Sequence, residues 1–333
     1  MTPMRDRYPW LVADIGGTNA RFGLVQAPGA AVNDIIALRC AEFASPELAA
    51  QSYLDRVAAE HGQRVQPQLA AFALATAVSG DTIKMTNSDW VISRGDAERA
   101  LGLQRLHLLN DFEALALSLP HLTARDITLF GGAPMPGQPM AVIGPGTGLG
   151  VAACIPSGRS WRALAGEGGH VTVSTADEFE SDVLRVLRPR FDHVSAERLL
   201  SGIGLPNLYG AVAHVRGEAA TGLKAEEITR RALEDNDATC AATLDVFCAM
   251  LGTFAGNVAL TLGARGGVYI AGGIAQKLGA FFLRSRFRER FEAKGRFREY
   301  LAPIATALIT ASYPALTGAA QGIENALLEH AND

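Results

Sequence analysis

Apolar and polar positions alternate between strand-like and helix-like periods along this chain. Between Trp10 and Val25 two short apolar runs flank Gly16-Gly17-Thr18, which predicts a β-hairpin with the glycines in its turn. Residues 47–61 carry Leu48, Tyr53, Leu54, Val57 and Ala58 at helical spacing. Leu69 to Val78 is a continuous apolar run, as expected of a central strand covered on both faces. A short helix over 96–103 ending at Gly102 follows, then a strand over Leu106–Leu109 that closes at Asn110-Asp111. A helix from Phe112 to Leu119 stops at Pro120. A second phase begins near residue 122. Met140–Ile143 predicts a strand, Gly144 to Gly150 a turn, and Val151–Ile155 a returning strand, so a strand–glycine turn–strand unit occurs twice. Thr175 and Glu178 have the spacing of a capping box before a helix-rich region, and Ser195 is placed to cap a helix carrying Glu197 and Arg198. Gly266 to Ile274 predicts a strand running into a double-glycine turn and then a helix.

Composition narrows the function classes. Of 333 residues, 48% are hydrophobic and 19% charged, which excludes a disordered chain. Net charge is −4, so no basic field points to nucleic acid. Glycine, at 35 residues, exceeds its usual share of about 7%, consistent with ligand loops at strand ends. Cys40, Cys154, Cys240 and Cys248 contain no C-x-x-C pair and are expected as buried free thiols. After Arg5 and Arg7 the apolar run from Trp10 is broken by Asp14, so no secretory core forms. Ile127–Gly158 is uncharged but rich in proline. Val246–Ala264 has the length of a membrane span but contains Thr253, Asn257 and Thr261 and is read as a buried core helix. A cytoplasmic protein without membrane or nucleic-acid partners is expected.

The chemistry sits in the glycine turns. There is no Gly-Lys pair for a Walker loop, and the second turn fails G-x-G-x-x-G in both registers. What remains is Asp14-Ile15-Gly16-Gly17-Thr18 and Gly144-Pro145-Gly146-Thr147-Gly148. Each offers clustered backbone N–H groups and a Thr hydroxyl, and two such turns can hold a polyphosphate through backbone donors. Asp14 can hold Mg²⁺ through water. Two ordinary hairpins would look the same. Asp111 can accept a proton from a substrate hydroxyl while Asn110 binds neighbouring hydroxyls; an Asp opening a helix serves equally as a cap. Gly166-Glu167-Gly168-Gly169-His170 sets an acceptor and an imidazole three residues apart, suited to vicinal hydroxyls or to a plain surface turn, and too sparse for a metal site.

Taken together, these segments resemble the bacterial ATP-dependent glucokinase family within the actin/Hsp70/sugar-kinase superfamily. Asp14 to Arg21 resembles the first phosphate motif, Leu109-Asn110-Asp111-Phe112 the catalytic segment, and Gly144 to Gly150 the second phosphate loop. Glu167 to His170 resembles the sugar loop, His193 to Gly202 the next sugar-contacting helix, and Gly266 to Ile274 the adenosine motif. The resemblance implies an α/β, two-lobed ribonuclease H-like actin/hexokinase ATPase fold with mixed sheets flanked by helices. A small domain would comprise 1–121 plus 312–333 and a large one 122–311, with nucleotide and sugar between them. It implies phosphorylation of the 6-hydroxyl of D-glucose by ATP with Mg²⁺, in a homodimer. Asp111 would be the general base. Asn87, Asn110, Glu167, His170 and Glu197 would bind ring hydroxyls. Asp14, Ile15, Gly16, Gly17, Thr18, Asn19, Gly146, Thr147 and Gly148 would hold the phosphates, and Gly272 and Gly273 the nucleoside. One departure is Ala77-Val78-Ser79-Gly80 where the family usually has Pro-x-x-Gly, which alters a sugar-facing turn. A kinase for another hexose, a polyphosphate donor, and a catalytically weak sugar sensor are the alternatives.

Overall fold

The computed structural model describes residues 8–332; Arg5 and Arg7 lie outside the described residues. The chain forms two compact units. The first runs up to His121 and includes Ser157–Ala165 and the chain from Ser312 onward; the second comprises Leu122–Pro156 and Gly166–Ala311.

The first unit opens with the hairpin of β1 (Trp10–Ile15) and β2 (Asn19–Val25), joined by the turn at Gly16-Gly17-Thr18. After β3 (Asn33–Arg39) comes α1 (Pro46–His61), which starts with Ser45 Oγ accepting from Leu48 N–H and ends at Gly62 in the left-handed region. β4 (Leu69–Leu74) is buried at every position and is shorter than the apolar run that predicts it. The small hairpin β5 (Thr82–Lys84) and β6 (Val91–Ser93) leads into α2 (Arg94–Leu101), capped by Gly102, and β7 (Arg105–Asn110) leads into α3 (Asp111–Ser118). The sheet order is β3-β2-β1-β4-β7, antiparallel across the first three strands and parallel from β1 through β4 to β7. Alternation along β1 explains why both faces are covered. Leu11, Ala13 and Ile15 join a core that includes Tyr53 and Val57 of α1, while Trp10 and Val12 face a separate cluster.

The second unit repeats this plan. The second sheet has the strands β8 (Ile127–Gly131), β9 (Met140–Pro145), β10 (Leu149–Ser157), β11 (Ser160–Gly166), β12 (Gly267–Ile270) and β13 (Thr306–Ile309), ordered β11-β10-β9-β12-β13-β8; β11 up to Ala165 and the end of β10 at Ser157 group with the first unit. β9 pairs antiparallel with β10 and parallel with β12, which is parallel to β13. The glycine turn is tighter than expected. β9 continues to Pro145 and β10 resumes at Leu149, leaving only Gly146-Thr147-Gly148 as the turn. The helices are α4 (Glu178–Leu187), α5 (Leu205–Val215), α6 (Ala225–Leu233), α7 (Ala238–Leu262), α8 (Gly273–Leu278), α9 (Ala280–Arg284), α10 (Phe287–Glu292) and α11 (Arg298–Leu301). α7 is long and apolar enough to cross a membrane by composition, but 78% of its most apolar window is buried inside the fold. Gly252 and Gly256 explain part of that burial, since a Cβ there would stand 2.1 Å from Phe287 C=O and 2.6 Å from Phe291 C=O of α10. All four cysteines are free and buried.

The chain then returns to the first unit as α12 (Pro314–Asn332), whose Leu316, Ala319 and Ile323 meet Trp10, Val12 and Ala71. Gly318 lies so close to α3 that a Cβ would stand 1.6 Å from Ala114 C=O.

Three expectations need correction. Ser157–Ala165, expected in the larger unit, groups with the smaller one, where Asn325 Nδ2 donates to Trp161 C=O at 2.6 Å and Arg162 pairs with Glu329 at 3.3 Å. The cap of α4 is not Thr175 with Glu178. Asp177 accepts from Glu180 N–H at 2.8 Å, and the Glu180 carboxylate accepts from Ala176 N–H at 2.7 Å, a stronger charged pairing two residues on. The helix expected after Ser195 is a run of turns up to Gly204, although Ser195 Oγ does accept from Arg198 N–H at 3.3 Å. Arg198 and Leu199 N–H bond three residues back, Leu200 N–H reaches Ala196 C=O at 2.8 Å, and the amides of Gly202 and Ile203 go to Gly146 and Thr147, so the i→i−4 ladder is not carried on through them.

Candidate functional site

In the first unit the parallel register aligns the carboxyl ends of three strands. Ile15 pairs with Leu74, which pairs with Asn110. Asp14 and Asp111 therefore come to the same edge of the sheet, where ligands of open α/β sheets bind. Asp111 is the first residue of α3, and its Oδ1 accepts from Phe112 N–H at 2.9 Å. Burial pushes its carboxyl up to about 6; the Phe112 bond opposes this and the charge of Asp14 adds to it. Burial also raises Asp14, against the pull of Arg21, whose Nη1 lies 3.1 Å from Asp14 Oδ2. Arg21 faces Asp14 across the hairpin register and carries no role in the sequence reading, though counting outward from the turn identifies it. Among the described residues, no three His, Cys, Asp or Glu groups gather as a metal cage. Two carboxylates raised by desolvation suit a cation that brings its own phosphate ligands.

Asn110, not Asp111, is the helix cap. Its Oδ1 accepts from Phe112 N–H at 2.9 Å and Glu113 N–H at 3.3 Å, and Glu113 answers at Asn110 N–H. Its Nδ2 donates to Thr76 C=O at 3.1 Å, which leaves one N–H of the amide for a ligand oxygen. Thr76 begins the turn in which Ala77 replaces the family proline. Its hydroxyl meets that of Thr86 at 2.9 Å, so this turn is tied both to Asn110 and to the β5–β6 hairpin.

The first glycine turn is pinned from behind. Cys40 Sγ donates to Gly16 C=O at 3.4 Å and Cys40 N–H donates to Thr18 C=O at 2.9 Å. In a trans peptide the N–H opposes the C=O, so the Gly17 N–H points away from Cys40. Asn87 packs directly on this turn, where a Cβ on Gly17 would stand 2.6 Å from Asn87 Cβ.

In the second unit three predicted segments converge. Gly146, Thr147 and Gly273 line one cavity of about 640 Å³, with Leu205, Thr229, Leu233, Ile274 and Lys277. Gly272, at φ +82, explains the contact, since a Cβ there would stand 2.4 Å from Pro145 C=O. Sequence reasoning missed Thr229 and Lys277, which belong to no glycine motif. His170 and Glu197 line a second cavity of about 580 Å³, with Phe191, His193, Ser195 and Arg198. Glu167 is not in that lining; its carboxylate is exposed and lies 3.9 Å from His170 Nε2. The loop can lie against β10 only because Gly169 has no side chain, whose Cβ would meet Leu149 C=O at 2.0 Å.

A family model described as Glucokinase matches residues 11–326. A glucokinase of Aromatoleum aromaticum is 50% identical over 327 residues, 98% of each chain, and one of Paramagnetospirillum magneticum is 52% identical over 93% of this chain and 96% of its own. A crystal structure of glucokinase from an Antarctic psychrotroph superposes with a TM-score of 0.88 at 36% identity, covering 95% of this chain and 99% of that one. The repeated sheets thus form the mixed α/β actin/hexokinase ATPase fold, and the paired carboxylates and glycine turns sit on a sugar-kinase scaffold. A match of this extent and identity means that the chain belongs to the glucokinase family of sugar-phosphorylating enzymes.

Proposed function

We propose that this enzyme transfers the γ-phosphoryl group of ATP to the 6-hydroxyl of D-glucose, with Asp111 as general base. The observation that carries the reading is the Asp111 carboxyl, raised to about 6 beside Asp14 at the end of a parallel strand. A base with that pKa is ionised at neutral pH yet basic enough to take a proton as the sugar oxygen bonds to phosphorus. Asn110 offers its remaining N–H to a ring oxygen. His170, Glu167 and Glu197 hold ring hydroxyls, and Asn87 supports the first turn beside the sugar. The turns at Asp14–Asn19 and Gly146–Gly148 orient the phosphates through backbone donors, while the cavity lined by Gly273, Leu205 and Leu233, next to Gly272, takes the nucleoside. Asp14 would hold Mg²⁺ through water, and the ion would supply positive charge to the phosphates. Water competes as a nucleophile, so the sugar contacts serve to exclude it as well as to orient the hydroxyl. The family likeness supports a cytoplasmic homodimer that acts on small molecules. A coupled assay of ADP release tests the reading across a panel of glucose, mannose, fructose and N-acetylhexosamines. Release with glucose as the best acceptor is expected; no release with any hexose, or a clear preference for another, overturns it.

A further inference from the structure

The turns from Ser195 to Gly204 spend four of their backbone donors on two other loops of the same unit. At one end Ala196 N–H donates to Val171 C=O and Glu197 N–H to Gly169 C=O, each at 2.9 Å. At the other end Gly202 N–H donates to Gly146 C=O at 2.7 Å and Ile203 N–H to Thr147 C=O at 3.4 Å. One short segment therefore holds both the His170 loop and the Gly146–Gly148 turn. The Glu197 side chain adds a direct link, since its Oε2 accepts from Leu149 N–H at 2.9 Å. Gly148 makes room for that carboxylate, as a Cβ there would stand 2.4 Å from Oε2. The same side chain lines the cavity that holds His170. A carboxylate accepts at both oxygens, so the bond to Leu149 leaves Oε1 for a hydroxyl donor in the cavity.

We propose that Glu197 couples the two ligand sites of this unit, in that a sugar hydroxyl on Oε1 fixes the carboxylate whose Oε2 fixes the phosphate turn. Bound sugar then raises nucleotide affinity, and by linkage bound nucleotide raises sugar affinity by the same factor. The side chain's freedom is lost once, to whichever ligand arrives first, and the second ligand meets an ordered turn. Glu197 acts on the nucleotide as a positioning residue. This inference rests on reading the His170 cavity as the sugar site and the glycine turn as a phosphate site.

Titration calorimetry on the full chain tests it, using the non-hydrolysable analogue AMP-PNP with Mg²⁺, with and without saturating glucose. In the parent protein, glucose should tighten AMP-PNP binding by about fivefold or more. In Glu197→Ala the enhancement should fall below about twofold, and AMP-PNP should bind more weakly even without sugar, which loss of a simple sugar ligand would not cause. Glu197→Gln retains an acceptor for Leu149 N–H and should keep most of the coupling. Gly148→Ala leaves Glu197 in the chain but displaces its carboxylate, and it should uncouple like Glu197→Ala; it carries the test if Glu197→Ala cannot be saturated with sugar. Undiminished enhancement in Glu197→Ala or Gly148→Ala, or none in the parent, overturns the coupling and leaves the kinase reading standing. A parent protein that binds neither glucose nor AMP-PNP overturns the kinase reading itself, and the coupling with it.

Discussion

Replacing Asp111 with Asn should stabilise the protein at neutral pH while removing nearly all of its activity. The folded carboxyl titrates near 6 against an ordinary value of 3.8. Two pKa units at about 1.36 kcal/mol each correspond to a penalty of roughly 3 kcal/mol for the ionised form in the folded state. Asparagine has the same shape, removes the charge and keeps an oxygen for Phe112 N–H, though a weaker acceptor, so a net gain of about 1–2 kcal/mol is expected. The direction follows from linkage. Below about pH 4 the group is protonated in folded and unfolded chains alike, and the substitution gains little. Between about 4 and 6 the unfolded chain loses its proton first, which penalises the folded parent increasingly; above about 6 the penalty is complete. Urea unfolding of parent and variant at about pH 4 and pH 8 reads this difference, which should open as pH rises. In the coupled assay kcat should fall by about 10²–10⁴-fold, and the parent's rate should fall about tenfold per pH unit below about 6. A variant no more stable than the parent at pH 8, or a gap independent of pH, would refute the burial argument. Turnover within about tenfold of the parent would refute the assignment of the base.

Three further substitutions separate the parts of the site. His170→Ala should raise the glucose KM about tenfold, the loss of one hydrogen bond, with the ATP KM unmoved; a change confined to ATP would contradict its place in the sugar loop. Gly17→Ala forces a Cβ to 2.6 Å from Asn87, and since backbone as well as side chain must yield, it should raise the ATP KM by about tenfold or more; wild-type ATP kinetics would show that this turn does not hold phosphate. Gly318→Ala drives a Cβ into Ala114 C=O and should cost about 1–3 kcal/mol in urea unfolding while both KM values stay put; unchanged stability in urea would mean that α12 and α3 do not pack so closely.

Local pattern alone determined a good part of this protein. The first hairpin and its turn, the buried strand β4, the apolar helix α7 and the four buried thiols follow from side-chain period and from the few residues that tolerate tight turns. The glycine segments stand out in the sequence because only glycine leaves backbone donors bare on a sharp bend. Tertiary structure decided what joins what. The charge of Asp14 reaches Asp111 only because β1, β4 and β7 lie side by side in register, and no local pattern carries that pairing. Glu197 reads locally as an acid in the first turn of a helix. Its amide goes to Gly169 and its carboxylate to Leu149, so the residue serves two loops, and the segment runs on as turns because the amides of Gly202 and Ile203 go to Gly146 and Thr147. Periodicity reports how a segment buries its own face, whereas a hydrogen bond made 48 residues away depends on where the rest of the fold has placed the partner.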